Sequence, residues 1–159
     1  MTSVSPRLDP RVIALAHYAS RALLEHVLAR HGATFQQSVT LRVAALADGP
    51  VGRDHLVGQV TGSLKCTPEE AGSVVDELVN AGLLAPEGPS AVRITDAGRD
   101  LHTTTSAETA PISARVYAGL PEEDLAAAGR VLTLITERAN RELATLAQGS
   151  APTQDTAVS

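Results

Sequence analysis

The chain has 159 residues, which is long enough to bury one core without a metal or a disulfide to hold it together. Aromatic residues make up only 2% of it, so stacking of bases on aromatic side chains is a poor candidate function. The net charge of −5 opposes broad attraction to phosphate, although a local basic stripe can coexist with acidic surfaces elsewhere. No stretch approaches the roughly 20 apolar residues that span a bilayer, and the single cysteine excludes an internal disulfide. We therefore expect a cytoplasmic protein with no membrane partner.

The first third of the chain predicts a flexible start and two helices. Residues 1–9 show no periodicity, whereas from Pro10 apolar residues recur at three- and four-residue steps until Gly32, which suits a left-handed helix cap. Thr34 and Gln37 then have the spacing of a capping box, which predicts the start of a second helix. That helix is expected to stop before Pro50.

The middle of the chain predicts two more short helices and a hairpin. Residues 53–64 carry inward-facing leucines and valines at helical spacing. Thr67 and Pro68 are favoured as the cap and first residue of the next helix, which runs to Gly82. Two short apolar segments, 83–85 and 91–94, then flank the turn-rich residues 87–90 and predict a β-hairpin.

The last part of the chain predicts two long helices and a tail. Thr95 starts the first of them, and its polar middle and Pro111 leave its length open. The second runs from Pro121 to about Leu146 with an apolar stripe along one side. Residues 148–159 are rich in Ser, Thr, Pro and Ala and predict a disordered tail.

Three short helices followed by a two-stranded wing predict a winged helix-turn-helix, in a fold that is mainly α with a small β wing. Three segments resemble the MarR family of transcriptional regulators. Residues 34–37 (TFQQ) are similar to the start of the family's second helix, and residues 74–84 (VVDELVNAGLL) to the end of its recognition helix with the first wing strand. Residues 94–101 (ITDAGRDL) are similar to the start of the helix after the wing. The similarity to the family covers about residues 10–147, and the order and spacing of the three segments make it specific.

The resemblance implies a homodimer. In it, residues 10–33 and 102–147 would form interlocked dimerisation helices, and residues 34–101 a DNA-binding lobe that reads a palindromic operator in double-stranded DNA. A small lipophilic or aromatic effector would bind between the lobe and the dimer helices, and His17, Arg21 and Phe35 are the guesses for that pocket. The chain would then be a regulator, in the first instance a repressor, that needs no cofactor.

The residues predicted to contact DNA lie on the recognition helix, at its entry, at the start of the preceding helix and on the wing. Arg53, Lys65 and Arg93 would contact phosphates, and Ser73 would reach a base edge. For Arg93, a salt bridge on the surface or across the dimer is the alternative. Glu69 and Glu70 are candidates to accept a hydrogen bond from the amino group of cytosine. As residues of the first helical turn, however, they are better explained as partners of the helix dipole. The full predicted set is Arg53, Ser63, Lys65, Thr67, Glu69, Glu70, Ser73 and Arg93.

The charge of the lobe motivates an alternative. Residues 34–101 contain five basic and nine acidic side chains, a formal charge of −4, and the wing lacks the Asp-x-Arg element of the family. A degenerate winged helix that binds another protein rather than DNA is therefore the second hypothesis.

Two further chemistries receive less support from the sequence. Cys66 permits a single-cysteine redox sensor, although its position before the recognition helix favours a packed, inert thiol. The five histidines do not have the spacing of a metal site, and no nucleophile, base and orienting group occur together, so we expect no metal and no enzymatic activity.

Overall fold

The computed structural model describes residues 6–150, and the first five residues and the last nine fall outside that description. Six α-helices and three short β-strands follow one another along the described chain. In chain order they are α1 (Pro10–Ala29), α2 (Phe35–Leu46), β1 (Val51–Gly52), α3 (Arg53–Leu64), α4 (Pro68–Asn80), β2 (Leu84–Glu87), β3 (Ala91–Ile94), α5 (Asp96–Tyr117) and α6 (Glu122–Gly149). The chain divides into two compact units, Met1–Val116 and Tyr117–Ser159.

The core of the first unit lies between α2, α3, α4 and the sheet. It is aliphatic, as the scarcity of aromatic residues predicts, and four of its leucines and two of its valines are less than 2% exposed. Burying each such side chain contributes about 1.5–3 kcal/mol. Its members are Leu41, Ala44, Leu56, Val60, Ala71, Val75, Leu78, Leu84 and Val92.

The sheet has three strands, one more than the sequence predicts. β2 and β3 form the expected antiparallel hairpin, with Leu84 opposite Ile94, and β1 adds to the free edge of β3, with Val51 opposite Val92. The strand order is therefore β1-β3-β2. A two-residue strand is too short to show the alternation by which strands are recognised in a sequence.

The helix ends largely follow the predicted caps. The hydroxyl of Thr34 accepts a hydrogen bond from the backbone N–H of Gln37, and the Gln37 side chain accepts one in return from the Thr34 N–H, so the capping box is confirmed. α1 ends at Ala29, slightly earlier than predicted, and Gly32 closes the following turn with a φ of +67°.

Helix α5 settles the length that the sequence leaves open, because it continues through Pro111. Proline there removes one backbone donor. The threonines of the polar stretch remain within the helix, since Thr105 and Thr109 donate their hydroxyls to carbonyls four residues earlier.

The junction between the wing and α5 explains the glycine in the segment ITDAG. The hydroxyl of Thr95 donates to the carbonyl of Gly82 at 2.7 Å and accepts from the N–H of Gly98 at 3.0 Å. A Cβ at position 98 would overlap the carbonyl oxygen of Leu83. The close approach of α5 to the end of α4 therefore requires glycine here.

Helix α6, taken by itself, has an apolar stripe and no buried residue. It ends at Gly149, three residues beyond the predicted end, so residues 148 and 149 belong to a helix rather than to the predicted disordered tail. The part of that tail beyond Ser150 lies outside the described residues, as do residues 1–5 of the predicted flexible start. The large apolar side chains left exposed along α6 are Val131, Leu132, Leu134, Ile135, Leu143 and Leu146. Within residues 6–150, no helix combines the length and the apolar character needed to cross a membrane.

Candidate nucleic-acid interface

Helix α4 presents an outward face from a well-anchored position. Ala71, Val75 and Leu78 fix its inner face in the core. Thr67 caps its start, where the hydroxyl accepts from the N–H of Glu70 and the Glu70 carboxylate accepts from the N–H of Thr67 at 2.8 Å. The sequence predicts this cap and the helix from Pro68, and both are confirmed.

The outward face of α4 is acidic. Glu69, Glu70, Asp76 and Glu77 are all exposed, and the helix carries no lysine or arginine among its 13 residues. Ser73 is exposed between them. The Glu70 carboxylate is engaged in the cap in the first turn of α4, where the sequence predicts that it complements the helix dipole.

Arg53 lies beside α4 and is held there by two contacts. Its guanidinium pairs with the carboxylate of Asp76 at 2.9 Å and donates to the carbonyl of Gly72 at 3.2 Å. The Arg53 side chain is 35% exposed and that of Asp76 is 63% exposed, so the pair is weakly stabilising in water. Arg53, the first residue of α3, thus lies against α4 with its charge paired to Asp76.

Ser63 lies in the last turn of α3, and Lys65 follows the end of that helix in the turn that leads to α4. Lys65 adopts a left-handed conformation, φ 56°, at the end of α3, and its ammonium donates to the carbonyl of Gly62. Both side chains are exposed. The end of α3 therefore supplies an exposed hydroxyl, and the turn after it an exposed cation, shortly before Thr67.

The wing supplies the last of the predicted cations. Arg93 on β3 pairs with Glu87 on β2 at 3.1 Å, and both side chains are about half exposed. Gly88 turns the hairpin with a φ of +64°. Arg93 is therefore an exposed group on the wing, paired along the hairpin.

The three residues guessed for an effector pocket form one cluster. The guanidinium carbon of Arg21 lies 4.4 Å from the centre of the Phe35 ring, and the His17 ring meets Phe35 edge-on at 6.5 Å. Arg21 also pairs with Glu25 at 2.8 Å. The cluster ties α1 to the start of α2 through a cation–π contact.

A cavity of about 440 Å³ between α1, α2 and α5 is lined by other side chains. Arg42 and His102 are the groups in it that carry or can gain a positive charge. Four-residue spacings place its polar members on shared helix faces, as for Ser38 with Arg42 and Thr105 with Thr109. That four-residue spacing is the sequence signal from which these polar residues could be predicted to face a common cavity, and it was missed in the prediction from the sequence. The lining residues are Leu24, Ser38, Arg42, His102, Thr105, Ser106, Thr109, Ala110 and Ser113.

Cys66 is partly buried and packs against the core cluster. Among the residues that the structure describes, no three His, Cys, Asp or Glu side chains come close enough together to hold a metal ion.

Comparison with known proteins finds similarity in structure and none in sequence. No family model and no curated protein matches the chain. Three solved structures superpose on most of it. Sco5413, a MarR family transcriptional regulator from Streptomyces coelicolor, has a TM-score of 0.68 at 18% identity over 82% of this chain and 92% of that one. CouR from Rhodococcus jostii RHA1, bound to p-coumaroyl-CoA, has a TM-score of 0.66 at 18% identity over 79% and 88%. The MarR family protein Rv2887 from Mycobacterium tuberculosis, in complex with DNA, has a TM-score of 0.62 at 22% identity over 82% and 98%.

The chain has the MarR fold. The superposition on these MarR-family structures confirms, at the level of the fold, the resemblance read from the three sequence segments. The acidic face of α4 is the feature in which this chain departs from the basic surface that DNA binding favours.

Proposed function

We propose that the chain is a cytoplasmic, homodimeric MarR-type regulator that binds double-stranded DNA and acts as a repressor. The observation that carries this proposal is the exposed, capped α4 beside an exposed wing, in a fold shared with a protein whose structure contains DNA. A pair of such helices one helical turn apart fits a palindromic site.

The phosphate contacts assigned to this interface are those of Arg53, Lys65 and Arg93. Arg53 and Arg93 are engaged in ion pairs that are open to water. Because such pairs stabilise the protein by at most about 1 kcal/mol, a phosphate can replace the carboxylate at small cost. Six phosphate contacts from two subunits would give a log–log salt slope of about −5.

The effector site that we propose is the cavity between α1, α2 and α5. CouR is bound to p-coumaroyl-CoA, and an Rv2887 structure contains salicylic acid. Arg42 and the hydroxyls of this cavity suit a small aromatic carboxylic acid, since arginine binds carboxylates through paired hydrogen bonds. Such a ligand changes DNA affinity only if it binds the two arrangements of the lobes unequally.

Titration of a DNA fragment from directly upstream of the coding sequence, at several salt concentrations, tests the proposal. We expect specific binding that weakens with salt, and weaker binding with a shallower slope for Arg53→Ala and Lys65→Ala. Salicylate, used as a probe, should lower the affinity of the unmodified chain but not that of Arg42→Ala.

A second function is favoured by one observation, the four carboxylates on an α4 that lacks any basic residue. An acidic recognition helix suits a protein partner with a basic surface. Binding to the upstream fragment no stronger than to competitor DNA would overturn the first proposal and support this one.

A further inference from the structure

A second cavity, of about 360 Å³, lies between the start of α2, the end of α3 and α4. It shares no lining residue with the cavity proposed for the effector. Its volume is within the range of pockets that bind small molecules, about 300–1,000 Å³. The residues that line it are Thr34, Gln36, Val60, Leu64, Cys66, Glu70, Ala71, Val74 and Glu77.

The cavity combines an apolar floor with an acidic rim. Leu64 and Val74 are partly buried and pack against the core cluster, to which the fully buried Val60 belongs, so they form a fixed hydrocarbon surface. Glu70 and Glu77 are the charged groups of the lining, and no basic side chain is among the lining residues. The charge at the rim is therefore of one sign.

Neutral donors leave that charge uncompensated. The Glu77 carboxylate accepts a hydrogen bond from the side-chain amide of Gln37 at 3.0 Å, and the Glu70 carboxylate accepts one from the backbone N–H of Thr67. Glu70 lies in the first turn of α4, where the helix dipole favours a negative charge. Glu77 lies about two turns further on, beyond the reach of that effect, and is the stronger attractor of a cation.

We propose that this cavity binds a small apolar amine. Its ammonium group would pair with Glu77 and Glu70, and its hydrocarbon part would cover Leu64 and Val74, beneath which Val60 is buried. A neutral ligand of the same shape would desolvate the carboxylates without replacing their lost water, and an anion would be repelled. The proposal does not depend on DNA binding.

Calorimetric titration of the full chain with three probes of similar shape tests the ligand class. The probes are phenethylamine, 2-phenylethanol and 3-phenylpropionate, which are cationic, neutral and anionic at pH 7. We expect the amine to bind at least tenfold more tightly than either of the others. Equal binding of the three probes, or no heat from the amine at millimolar concentration, would overturn the proposal.

Three single substitutions test the location. Glu77→Gln should weaken amine binding at least fivefold and Glu70→Gln by less, and glutamine at position 70 preserves the capping box. Glu69→Gln is the matched control, because it removes the same charge from the same helix at a residue outside the cavity lining. An equal loss of amine affinity in the Glu69→Gln control would show that the total charge of α4, rather than this cavity, determines binding, and would overturn the proposed location.

Methyl NMR separates this cavity from the other. Saturation with phenethylamine should shift the methyl resonances of Val60, Leu64 and Val74 and leave those of Leu24, which lines the α1–α2–α5 cavity, unchanged. Shifts at Leu24 alone would assign the amine to the other cavity and overturn the proposal.

Discussion

Helices α4 and α6 have the same kind of sequence and different surroundings. Each carries an apolar stripe at helical spacing opposite a charged face. In α4 the stripe is buried, and Val75 and Leu78 are 0% exposed. In α6 the equivalent side chains stay open, with Leu132 at 38% and Ile135 at 39%.

The difference shows that an apolar stripe at helical spacing is not always covered by the described part of its own chain. α4 meets α2, α3 and the sheet within the same unit. The stripe of α6 exposes several large apolar residues in succession, and a surface of that kind marks an interaction site. A second copy of the chain is the partner that the proposed function requires.

The largest expected effect is on assembly. Ile135→Glu places a charge in the exposed stripe of α6 and should convert the dimer to a monomer at micromolar concentration, because an unpaired charge in an apolar interface costs several kcal/mol. Sedimentation velocity measures the change, and circular dichroism checks that the helices remain.

Thr133→Glu is the control for that substitution. It adds the same charge two residues away, about 200° around the helix, at an exposed polar position. It should leave the dimer intact, and a dimer that survives Ile135→Glu would contradict the role assigned to the stripe.

Truncation of a leucine to alanine should lower the free energy of unfolding much more in the buried stripe of α4 than at an exposed position. Leu78→Ala should lower the free energy of unfolding by about 2–5 kcal/mol, because it leaves a cavity in the core. Leu46→Ala, at a side chain that is 73% exposed, should change it by less than about 0.5 kcal/mol. Urea titrations at one protein concentration measure both, and similar losses would show that the core is wrongly placed.

The sequence predicts the helices well because each begins with a recognisable cap or runs on a clear period. Thr34, Thr67 and Pro68 mark helix starts by local hydrogen bonding and backbone geometry, which do not depend on the rest of the fold. β1 was missed, since a two-residue strand is defined by its partner β3 rather than by its own residues.

The candidate site is predicted less completely, because its geometry depends on side chains that are distant in sequence. Arg53 was predicted as a DNA contact, but its pairing with Asp76, 23 positions later, arises only when α3 packs on α4. Arg42 was not predicted for the effector cavity, because its neighbours on α5 are brought to it by tertiary packing.

Two glycine substitutions test how closely α5 approaches the end of α4. Gly98→Ala should destabilise the chain by about 1–3 kcal/mol, because the new Cβ would overlap the Leu83 carbonyl. Gly58→Ala, within α3 and with no atom near the new Cβ, should stabilise it by about 0.5–1 kcal/mol. Thermal or urea unfolding checks the opposite signs, and two changes of the same sign would contradict the packing.

The smallest effect concerns the acidic face of α4. Asp76→Ala removes the carboxylate that competes with phosphate for Arg53, so affinity for the upstream DNA should rise severalfold, whereas the salt slope should stay the same because the Arg53 contact is already counted in it. Asp100→Ala removes an exposed charge from α5 and should change neither. Equal gains in the two variants would show that overall charge, rather than the Arg53–Asp76 pair, limits binding.

Sedimentation equilibrium of the full chain with a fluorescent duplex of the upstream DNA tests the central claim most directly. We expect two copies of the chain on one duplex, retained against excess competitor DNA and lost at high salt. A complex with one copy, or no complex in the presence of competitor, would contradict a dimer that presents two α4 helices to DNA.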